Sequence, residues 1–361
     1  MENLINVNKF PYKWTIEDSI FTKDKGTVFS CFACGGGSSF GYKLAGFDVT
    51  GCNEIDPKMM KAYKANHNPK YAYLEKIQTF KLRKDLPGEL YNLDILDGSP
   101  PCSSFSMAGN REDDWGKEKV FREGQSEQVL DTLFFDFIDL AKELQPRVVI
   151  AENVKGLLLG NAIQYVRRIY KELTEAGYYV QHWLLDASTM GVPQKRERVF
   201  FIGLRKDLAK PFLKQINLFE EMPILNLEFN EPIIPFKKVY EATGEKNDYN
   251  DLTELQQRLY DVCQPGESFS KYDERGFYFG YIKTHPEQPI PTLTTKGDSL
   301  KHYSIPRQLT LKEWTLCSTF PLDYELNSKY LLGMSVPPVM VAQIATEIYE
   351  QWLKRIYGRE L

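Results

Sequence analysis

The chain lacks several features that would place it in a special class. Its 45 Lys and Arg against 49 Asp and Glu give a net charge of −4, so there is no global sign of a polyanion-binding protein. We find no signal-peptide pattern and no apolar run long enough to cross a bilayer, so we expect no membrane association. Six cysteines fit a reducing cytoplasm. The Cys31-x-x-Cys34 pair lacks the two further ligands of a structural zinc site, so no metal is expected.

The residues that are present support a sizeable core. Apolar residues make up 42% of the 361 and aromatic residues 13%, which suits one large or two modest domains. Up to about Leu204, strand-like and helix-like patterns alternate, which predicts an α/β fold with a mostly parallel sheet and helices on both faces. The predicted strands are 27–32, 47–53, 93–96, 148–151, 178–185 and 199–204, and the predicted helices are 42–45, 57–67, 128–144, 162–176, 252–263 and 339–356.

The most informative stretch is residues 98–106, Gly-Ser-Pro-Pro-Cys-Ser-Ser-Phe-Ser. It places Cys102 on a rigid Pro-Pro turn at the C-terminal end of a predicted strand, the edge where open α/β sheets hold their ligands. A second strand pattern ends in Glu152-Asn153-Val154. A thiol and a carboxylate at two strand ends suggest a nucleophile with an acid partner. Taken alone, Cys102 is as well explained as a small buried apolar residue.

A glycine-rich turn follows the first predicted strand. Residues 33–37 read Ala-Cys-Gly-Gly-Gly, and the second strand ends at Glu54. Strand, glycine turn, helix and a carboxylate after the next strand are typical of a nucleotide-binding unit, in which the carboxylate binds a ribose diol. The turn has neither the G-x-G-x-x-G pattern nor the G-K-[ST] of a P-loop, so a tight turn beside a surface Glu explains it equally well at this point.

Taken together, these segments resemble the DNA (cytosine-5) methyltransferase family, in the family's motif order and over nearly the whole chain. The matching segments are 32–41, 54–56, 101–102, 152–154, 194–198, 307–313 with 320–321, and 333–338. Several positions depart from the family pattern. Cys34 replaces a glycine, Met334 replaces an asparagine, and Lys76 stands where an aspartate would contact adenine. Val129 and Leu130 stand where the family often has an arginine.

The resemblance implies a class-I S-adenosylmethionine-dependent methyltransferase fold with a smaller target-recognition domain. It assigns residues 1–205 and 333–361 to the catalytic domain and 206–332 to the target-recognition domain. S-adenosyl-L-methionine is the implied co-substrate, without a metal. The residues implied to hold it are Phe32, Gly35, Gly36, Gly37, Glu54, Ile55, Ile77, Pro100, Ser335 and Val336.

The resemblance also assigns the chemistry. The thiolate of Cys102 would add to carbon 6 of a cytosine flipped out of double-stranded DNA, which activates carbon 5 toward the methyl group. Glu152 would act as the acid at ring nitrogen 3, and Arg198 would bind the oxygen at position 2. Asn153 would orient the site, and Arg196 is included in the catalytic set. Without this context, Glu152 could be a helix cap, and both arginines an exposed charged strand end.

Three further segments are expected to meet DNA. Between residues 191 and 214, seven basic residues face two acidic ones, a local net charge of +5 that suits phosphate contacts or a solvated surface. Residues 109–125 form a long polar connection, in the family a mobile loop that closes over DNA. The aromatics between Tyr272 and Tyr281 fall in the family's recognition region, although packing in a small β domain would account for most of them.

Alternative functions remain open at this point. A transfer-RNA cytosine-5 methyltransferase would share the motifs, but the Cys-Phe-Thr tripeptide associated with that branch is absent. A catalytically silent DNA-binding relative would not need Cys102, Glu152 and Arg198 together. An amino-methyltransferase would carry an aromatic residue where Cys102 stands. From the family alone we expect a monomeric, cytoplasmic enzyme of a bacterial or phage modification system, with a cognate restriction endonuclease as a functional partner.

Overall fold

The computed structural model describes residues 8–101, 118–119, 128–129, 132–217, 220–243 and 252–360. The chain divides into two compact units. The sheet unit comprises Phe21–Leu185, Glu197–Glu228 and Ile344–Leu361, and the second unit comprises Met1–Ile20, Asp186–Arg196 and Phe229–Gln343. The expected functional domains have different boundaries and stay a prediction.

Seven strands form the central sheet. They are β1 Thr27–Cys31, β2 Asp48–Glu54, β3 Tyr71–Leu74, β4 Ile95–Gly98, β5 Val148–Val154, β6 Tyr178–Asp186 and β7 Glu197–Arg205. Their order is β3-β2-β1-β4-β5-β7-β6. The pairs from β3 to β5 are parallel, and β7 runs antiparallel to β5. The predicted mostly parallel sheet is confirmed, with β3 as a strand that the sequence pattern did not reveal.

Helices cover both faces of this sheet. The helices of the sheet unit are α1 Gly37–Leu44, α2 Pro57–His67, α3 Ile77–Phe80, α4 Leu133–Leu144 and α5 Ile163–Glu175. Side chains of α3, α4 and α5 form one core with residues of β1, β4, β5 and β7. On the opposite face, Tyr42 of α1 reaches the sheet. Two further strands of this unit, β8 Leu213–Asn217 and β9 Glu220–Pro223, pair with each other.

Local sequence explains where helices begin. Asp56 accepts hydrogen bonds from the backbone N–H groups of Lys58 and Met59, and Pro57 opens α2, so this helix starts where the sequence predicts. The predicted start of α4 is wrong. Gln128–Val129 pairs as a strand with Glu118–Lys119, and the helix begins only at Leu133. Helical periodicity marks an apolar face but not the first residue of a helix.

The second unit is mainly helical and irregular in its described residues. It contains α6 Phe236–Thr243, α7 Glu254–Val262, α8 Leu311–Cys317, α9 Lys329–Met334 and most of α10 Pro338–Ile348, with strands β10 Ile282–Lys283 and β11 Leu300–Lys301. Two strands of two residues each do not make a small β domain. The aromatic residues of the recognition region therefore pack in another way, described below.

The C-terminal helices form one continuous run. After α10, a wider turn at Tyr349–Leu353 leads into α11 Lys354–Glu360. Residues Lys329–Gly358 are long and apolar enough to cross a membrane by length and composition, contrary to the expectation from sequence. However, 89% of the apolar window is buried within the protein, as in the core helix of a globular domain.

Candidate active site

The ends of β4, β5 and β7 meet at one edge of the sheet. Gly98, the last residue of β4, pairs with Ala151 of β5, and Val154 at the end of β5 pairs with Arg198 near the start of β7. The parallel strand β5 ends at this edge and the antiparallel strand β7 begins there. Because β5 and β7 are adjacent and antiparallel, Glu152 near the end of β5 lies close to Arg198 near the start of β7, although the two are distant in sequence.

Glu152 and Arg198 form an ion pair. Nε of Arg198 lies 3.0 Å from Oε1 of Glu152, and the side chains are only 15% and 9% exposed for Arg198 and Glu152 respectively. Burial lowers the pKa of Arg198, and the neighbouring Glu152 raises it in part again. The pair is therefore a poorly solvated acid and cation at an open sheet edge, which is suited to stabilising charge on a polar substrate.

Asn153 fixes the turn that follows β4. Its Nδ2 donates to the carbonyl oxygen of Pro100 at 3.2 Å, and its Oδ1 accepts from the backbone N–H of Val154 at 2.8 Å. Gly98 packs so closely on Phe137 that a Cβ at this position would collide with the ring. These contacts hold Pro100 beside β5, the strand that carries Glu152. Pro100 is two residues before Cys102, which lies outside the described residues.

The glycine turn follows β1 and opens α1. Gly36 caps α1 with φ +80°, and a Cβ there would overlap the His67 ring, so only glycine fits. Phe32 and Cys34 also have positive φ, 53° and 47°. Three left-handed residues within five positions produce a tight loop whose backbone can approach a ligand closely.

Glu54 is the acidic group of this region. Its Oε2 accepts from the backbone N–H of Cys34 at 2.7 Å, and its Oε1 accepts from those of Ile55 and Asp56 at 2.8 Å each. Burial raises the pKa of Glu54, against the lowering effect of these three N–H donors. A carboxylate offers about four acceptor positions, so Oε2 retains capacity for a ligand hydroxyl. This free acceptor position on Glu54 is of the kind that accepts from a ribose hydroxyl, so it fits S-adenosylmethionine.

Comparison with known proteins shows the family to which the chain belongs. Residues 26–350 match the family model of the C-5 cytosine-specific DNA methylases. The chain belongs to this family. The expected fold class and the expected enzyme class, a DNA (cytosine-5) methyltransferase, are thereby confirmed, and membership implies use of S-adenosylmethionine.

Individual relatives show how far the likeness extends. The chain is 35% identical over 216 residues to the Type II methyltransferase M.FnuDI of Fusobacterium nucleatum, covering 59% of this chain and 53% of that protein. It is 28% identical over 343 residues to M.NgoPII of Neisseria gonorrhoeae, covering 89% and 94% of the two chains. A crystal structure of a methyltransferase encoded within an Escherichia coli prophage superposes with a TM-score of 0.62 at 21% identity, over 90% of this chain and 98% of that one.

The other residues expected in this methyltransferase to hold S-adenosylmethionine have varied surroundings. Gly35 and Gly37 belong to the glycine turn, and Ile55 follows Glu54. Ile77 is 2% exposed within the apolar core, so it offers little surface to a ligand. In the second unit, Ser335 donates from Oγ to the carbonyl of Leu331, and Val336 is buried. Contacts between these residues and the co-substrate stay predictions.

Arg196 occupies a supporting position. It belongs to the second unit and is 1% exposed. Its guanidinium donates to the carbonyl oxygens of Leu293 at 3.0 Å and Gly333 at 3.1 Å. Gln194 lies beside it and joins the backbone of Leu293 to that of Cys317. The guanidinium thus binds backbone of its own unit, and this placement favours a positioning role over the catalytic one expected from the motif.

The basic residues between 191 and 214 do not form one surface. Arg196 is buried, and Arg198 is paired with Glu152. Lys206 and Lys210 follow the end of β7, and that end pairs with the beginning of β5 at Val148. They therefore lie at the opposite edge of the sheet from Glu152. Lys206 also donates to the carbonyl of Thr174. The basic residues therefore do not lie along one surface, because Arg198 and Lys206 are at opposite ends of β7. Their expected contacts with DNA phosphates stay a prediction.

The aromatics between Tyr272 and Tyr281 divide into two groups. Tyr278 and Tyr281 pack against an apolar cluster that includes Leu259 and Phe269. Phe277 and Phe279 are 59% and 84% exposed. The backbone around them is held by Ser268, whose Oγ donates to the carbonyls of Tyr278 and Phe279, and by a left-handed φ of 62° at Tyr278. This turn holds two phenyl rings in solvent.

Two predictions fall outside the described residues. One is the nucleophile Cys102, and the other is most of the expected closing loop 109–125. One feature of the site was missed from sequence: Asp97, a buried carboxyl on β4. Asp97 directly follows the mostly apolar run 93–96. This position could have drawn attention to it, because a buried strand seldom carries an unpaired charge.

Proposed function

We propose that this methyltransferase transfers a methyl group from S-adenosylmethionine to carbon 5 of cytosine in one specific double-stranded DNA sequence, as a modification enzyme of the Type II kind. The buried pair of Glu152 and Arg198 beside the Pro-Pro turn carries the proposal, because it supplies an acid and a cation where a cytosine ring would need both. The names of M.FnuDI and M.NgoPII, both Type II methyltransferases, support the modification role.

The nucleophile in this proposal is Cys102. Carbon 5 of cytosine is a poor nucleophile. Addition of the Cys102 thiolate to carbon 6 forms an S–C6 bond and converts the ring to an enamine whose carbon 5 is electron-rich. The hydrogen bond from Asn153 to Pro100 fixes the start of the segment that leads to this cysteine.

Glu152 and Arg198 act on the opposite side of the ring. Thiolate addition pushes charge toward nitrogen 3 and the oxygen at position 2. Protonated Glu152 donates to nitrogen 3, and Arg198 donates to the oxygen, so both hydrogen bonds strengthen as the charge develops. Because the two side chains already contact each other at 3.0 Å, little reorganisation is needed when the ring arrives.

When bound, S-adenosylmethionine supplies an electrophilic methyl group. Glu54 would hold its ribose hydroxyls, and the backbone of the glycine turn would approach the rest of the molecule. After methyl transfer, a base takes the proton from carbon 5, and the electrons of that C–H bond form the C5=C6 double bond and expel the Cys102 thiolate from carbon 6. Nitrogen 3 returns its proton to Glu152, which leaves the aromatic ring of 5-methylcytosine. This chemistry requires the target base outside the helix, since neither face of carbon 6 is accessible in stacked DNA.

Sequence specificity is proposed to reside in residues 206–332. The exposed rings of Phe277 and Phe279 support this, since base stacking and groove contacts need such side chains at the surface. We further propose a cytoplasmic, monomeric enzyme that acts with a cognate restriction endonuclease. Bisulfite sequencing of DNA from expressing cells would identify the methylated sequence, with transfer RNA from the same cells as the comparison.

The decisive experiment replaces Cys102 with serine. A hydroxyl is ionised far less than a thiol, so the Cys102→Ser protein should lose turnover in a tritiated-methyl assay and still bind S-adenosylmethionine. On DNA carrying 5-fluorocytosine, the wild type should form a denaturation-resistant adduct, because fluorine cannot leave as a proton. Near wild-type turnover by the serine variant, or no adduct with the wild type, would overturn the covalent mechanism.

A further inference from the structure

A cavity of about 490 Å³ opens at the edge of the sheet where the parallel strands begin. Thr27, the first residue of β1, and Asp48, the first residue of β2, both line it. Glu152 lies near the end of β5, which runs parallel to β4 and β1, so the pair of Glu152 and Arg198 is at the opposite edge. The cavity is therefore separate from the proposed active site, and its volume is typical of small-molecule sites in proteins.

Lys43 is a buried cation in the lining of this cavity. It is 9% exposed, and its Nζ lies 5.8 and 5.7 Å from the ring centres of Phe21 and Phe40. Nζ donates to the carbonyl oxygen of His67 at 3.0 Å, which caps the end of α2. An ammonium group has three N–H donors, so this bond leaves two for another acceptor. Among the described residues, no carboxylate lies within salt-bridge distance of Lys43.

The charges around the cavity leave that of Lys43 unbalanced. Lys23 pairs with Asp48 at 3.0 Å, and Lys70 pairs with Glu89. These four residues line the cavity together with Lys43, so three cations face two carboxylates and the lining has a net charge of +1. A poorly solvated charge without a counter-charge is costly in a protein. An anion bound in the cavity would remove this cost.

The ionisation of the lining residues is consistent with an anion site. Burial lowers the pKa of Lys43 to about 8, with a further lowering by Lys23 and an opposing effect of Asp48. Lys43 is thus largely protonated at neutral pH, and a bound anion would raise its pKa again. Burial holds the pKa of His67 well below its usual range, so this ring adds no charge to the cavity.

We propose that this cavity is a binding site for a phosphate group, either free or carried by a small molecule, with Lys43 as its main charged contact. A phosphate presents several acceptor oxygens, which suits the two remaining donors of Lys43. Lys23 and Lys70 at the rim, whose side chains are each 59% exposed, add further positive charge. The cavity is larger than a phosphate ion, and the amides of Asn68 and Asn92 in its lining suit a hydrophilic molecule.

The first test is equilibrium dialysis with radiolabelled sulfate, a probe with the shape of phosphate whose own charge is constant between about pH 7 and pH 9. Binding should weaken about tenfold over this interval, because Lys43 loses its proton as the pH rises through about 8. Lys43→Met keeps an apolar chain between the two rings and should abolish binding. The control Lys61→Met changes an exposed lysine of α2 outside the cavity and should bind as wild type does. Sulfate binding by Lys43→Met, or wild-type binding that does not change with pH, would overturn the proposal.

A second variant keeps the test informative if Lys43→Met does not fold. Asp48→Asn removes one of the two carboxylates of the lining but retains Lys43. Sulfate should therefore bind about two- to five-fold more tightly, the scale of an exposed charge interaction. Unchanged or weaker binding by Asp48→Asn would contradict an anion site in this cavity.

Competition against sulfate distinguishes the two sources of phosphate. Inorganic phosphate should displace the sulfate in either case. Tighter binding of adenosine monophosphate than of inorganic phosphate would assign the site to a phosphorylated small molecule, and any other order would assign it to free phosphate. If neither displaces sulfate and only duplex DNA does, the cavity belongs to a DNA-binding surface and the proposal is wrong.

Discussion

Arg198 lies 3.0 Å from Glu152, and both side chains are almost fully enclosed by protein. A buried pair of this kind adds little to stability, because desolvation of the two charges offsets their attraction. Its position at the end of β5, beside the turn held by Asn153, gives it a chemical use instead. Removing one partner should therefore affect the reaction more than binding of DNA.

Glu152→Gln tests this directly. An amide cannot supply a proton to ring nitrogen 3, so the single-turnover rate should fall by ~10²–10⁴-fold while DNA affinity changes little. The matched control is Glu197→Gln, since Glu197 is exposed and pairs with Lys155 on the surface. If the Glu152→Gln rate stays within about two-fold of wild type, the residue is structural.

Cys34 occupies a backbone conformation that favours glycine. Its φ is +47°, a left-handed conformation that costs a non-glycine residue about 1–2 kcal/mol. Glycine avoids this cost, but part of the gain is lost because glycine gives the unfolded chain more conformational entropy. Cys34→Gly should therefore raise the free energy of unfolding by roughly 0.5–1 kcal/mol in urea titrations.

Two neighbouring variants serve as its controls. Cys34→Ala keeps the strained backbone and should not stabilise the protein. Gly36→Ala should destabilise it, because φ is +80° and the new Cβ would overlap His67. Stabilisation by alanine as large as that by glycine would show that the thiol, rather than the backbone, is unfavourable at position 34.

Arg307 and Glu313 form a buried bidentate pair in the second unit. The two N···O distances are 2.8 and 2.7 Å, and the side chains are 1% and 0% exposed. Arg307→Met should cost about 3–5 kcal/mol in unfolding free energy, because Glu313 is left buried without its partner.

The double variant measures the interaction between the Arg307 and Glu313 side chains apart from their contacts with other residues. Arg307→Met with Glu313→Leu should recover part of the loss, although Glu313 also accepts from the backbone N–H of Thr310 in the cap of α8. The exposed pair of Lys354 and Glu350 provides the control, and Lys354→Met should change stability very little. Additive losses in the double variant would contradict a coupled pair.

Among the described aromatic side chains of residues 206–332, Phe279 is the most exposed, at 84%. Phe279→Ala should leave the melting temperature unchanged and alter which cytosines are methylated, since stacking and base-edge contacts contribute ~1–3 kcal/mol each. Tyr281→Phe, whose ring packs against the local core, is the comparison and should keep the wild-type pattern. If a methylome comparison shows lower yield but an unchanged target sequence for Phe279→Ala, recognition lies elsewhere in residues 206–332.

The sequence alone was enough to predict the enzyme family and the class of fold. A cysteine on a Pro-Pro turn, a Glu-Asn-Val strand end and a glycine turn are local features, each written in a few consecutive residues. The alternation of strand and helix patterns likewise depends on local periodicity, so the mostly parallel sheet could be predicted. The acidic cap that starts α2 is another local signal, and its boundary was correct.

The tertiary structure decided which of these residues meet. Arg196 and Arg198 are two residues apart, yet one binds backbone of the second unit and the other pairs with Glu152. Lys206 belongs to the same basic segment but lies across the sheet, because β7 runs antiparallel to β5. Asp97 lies on the same face of the sheet as Glu152 because of the register of β4 on β5. Pairing between distant strands sets these relationships, and no short stretch of sequence contains that register.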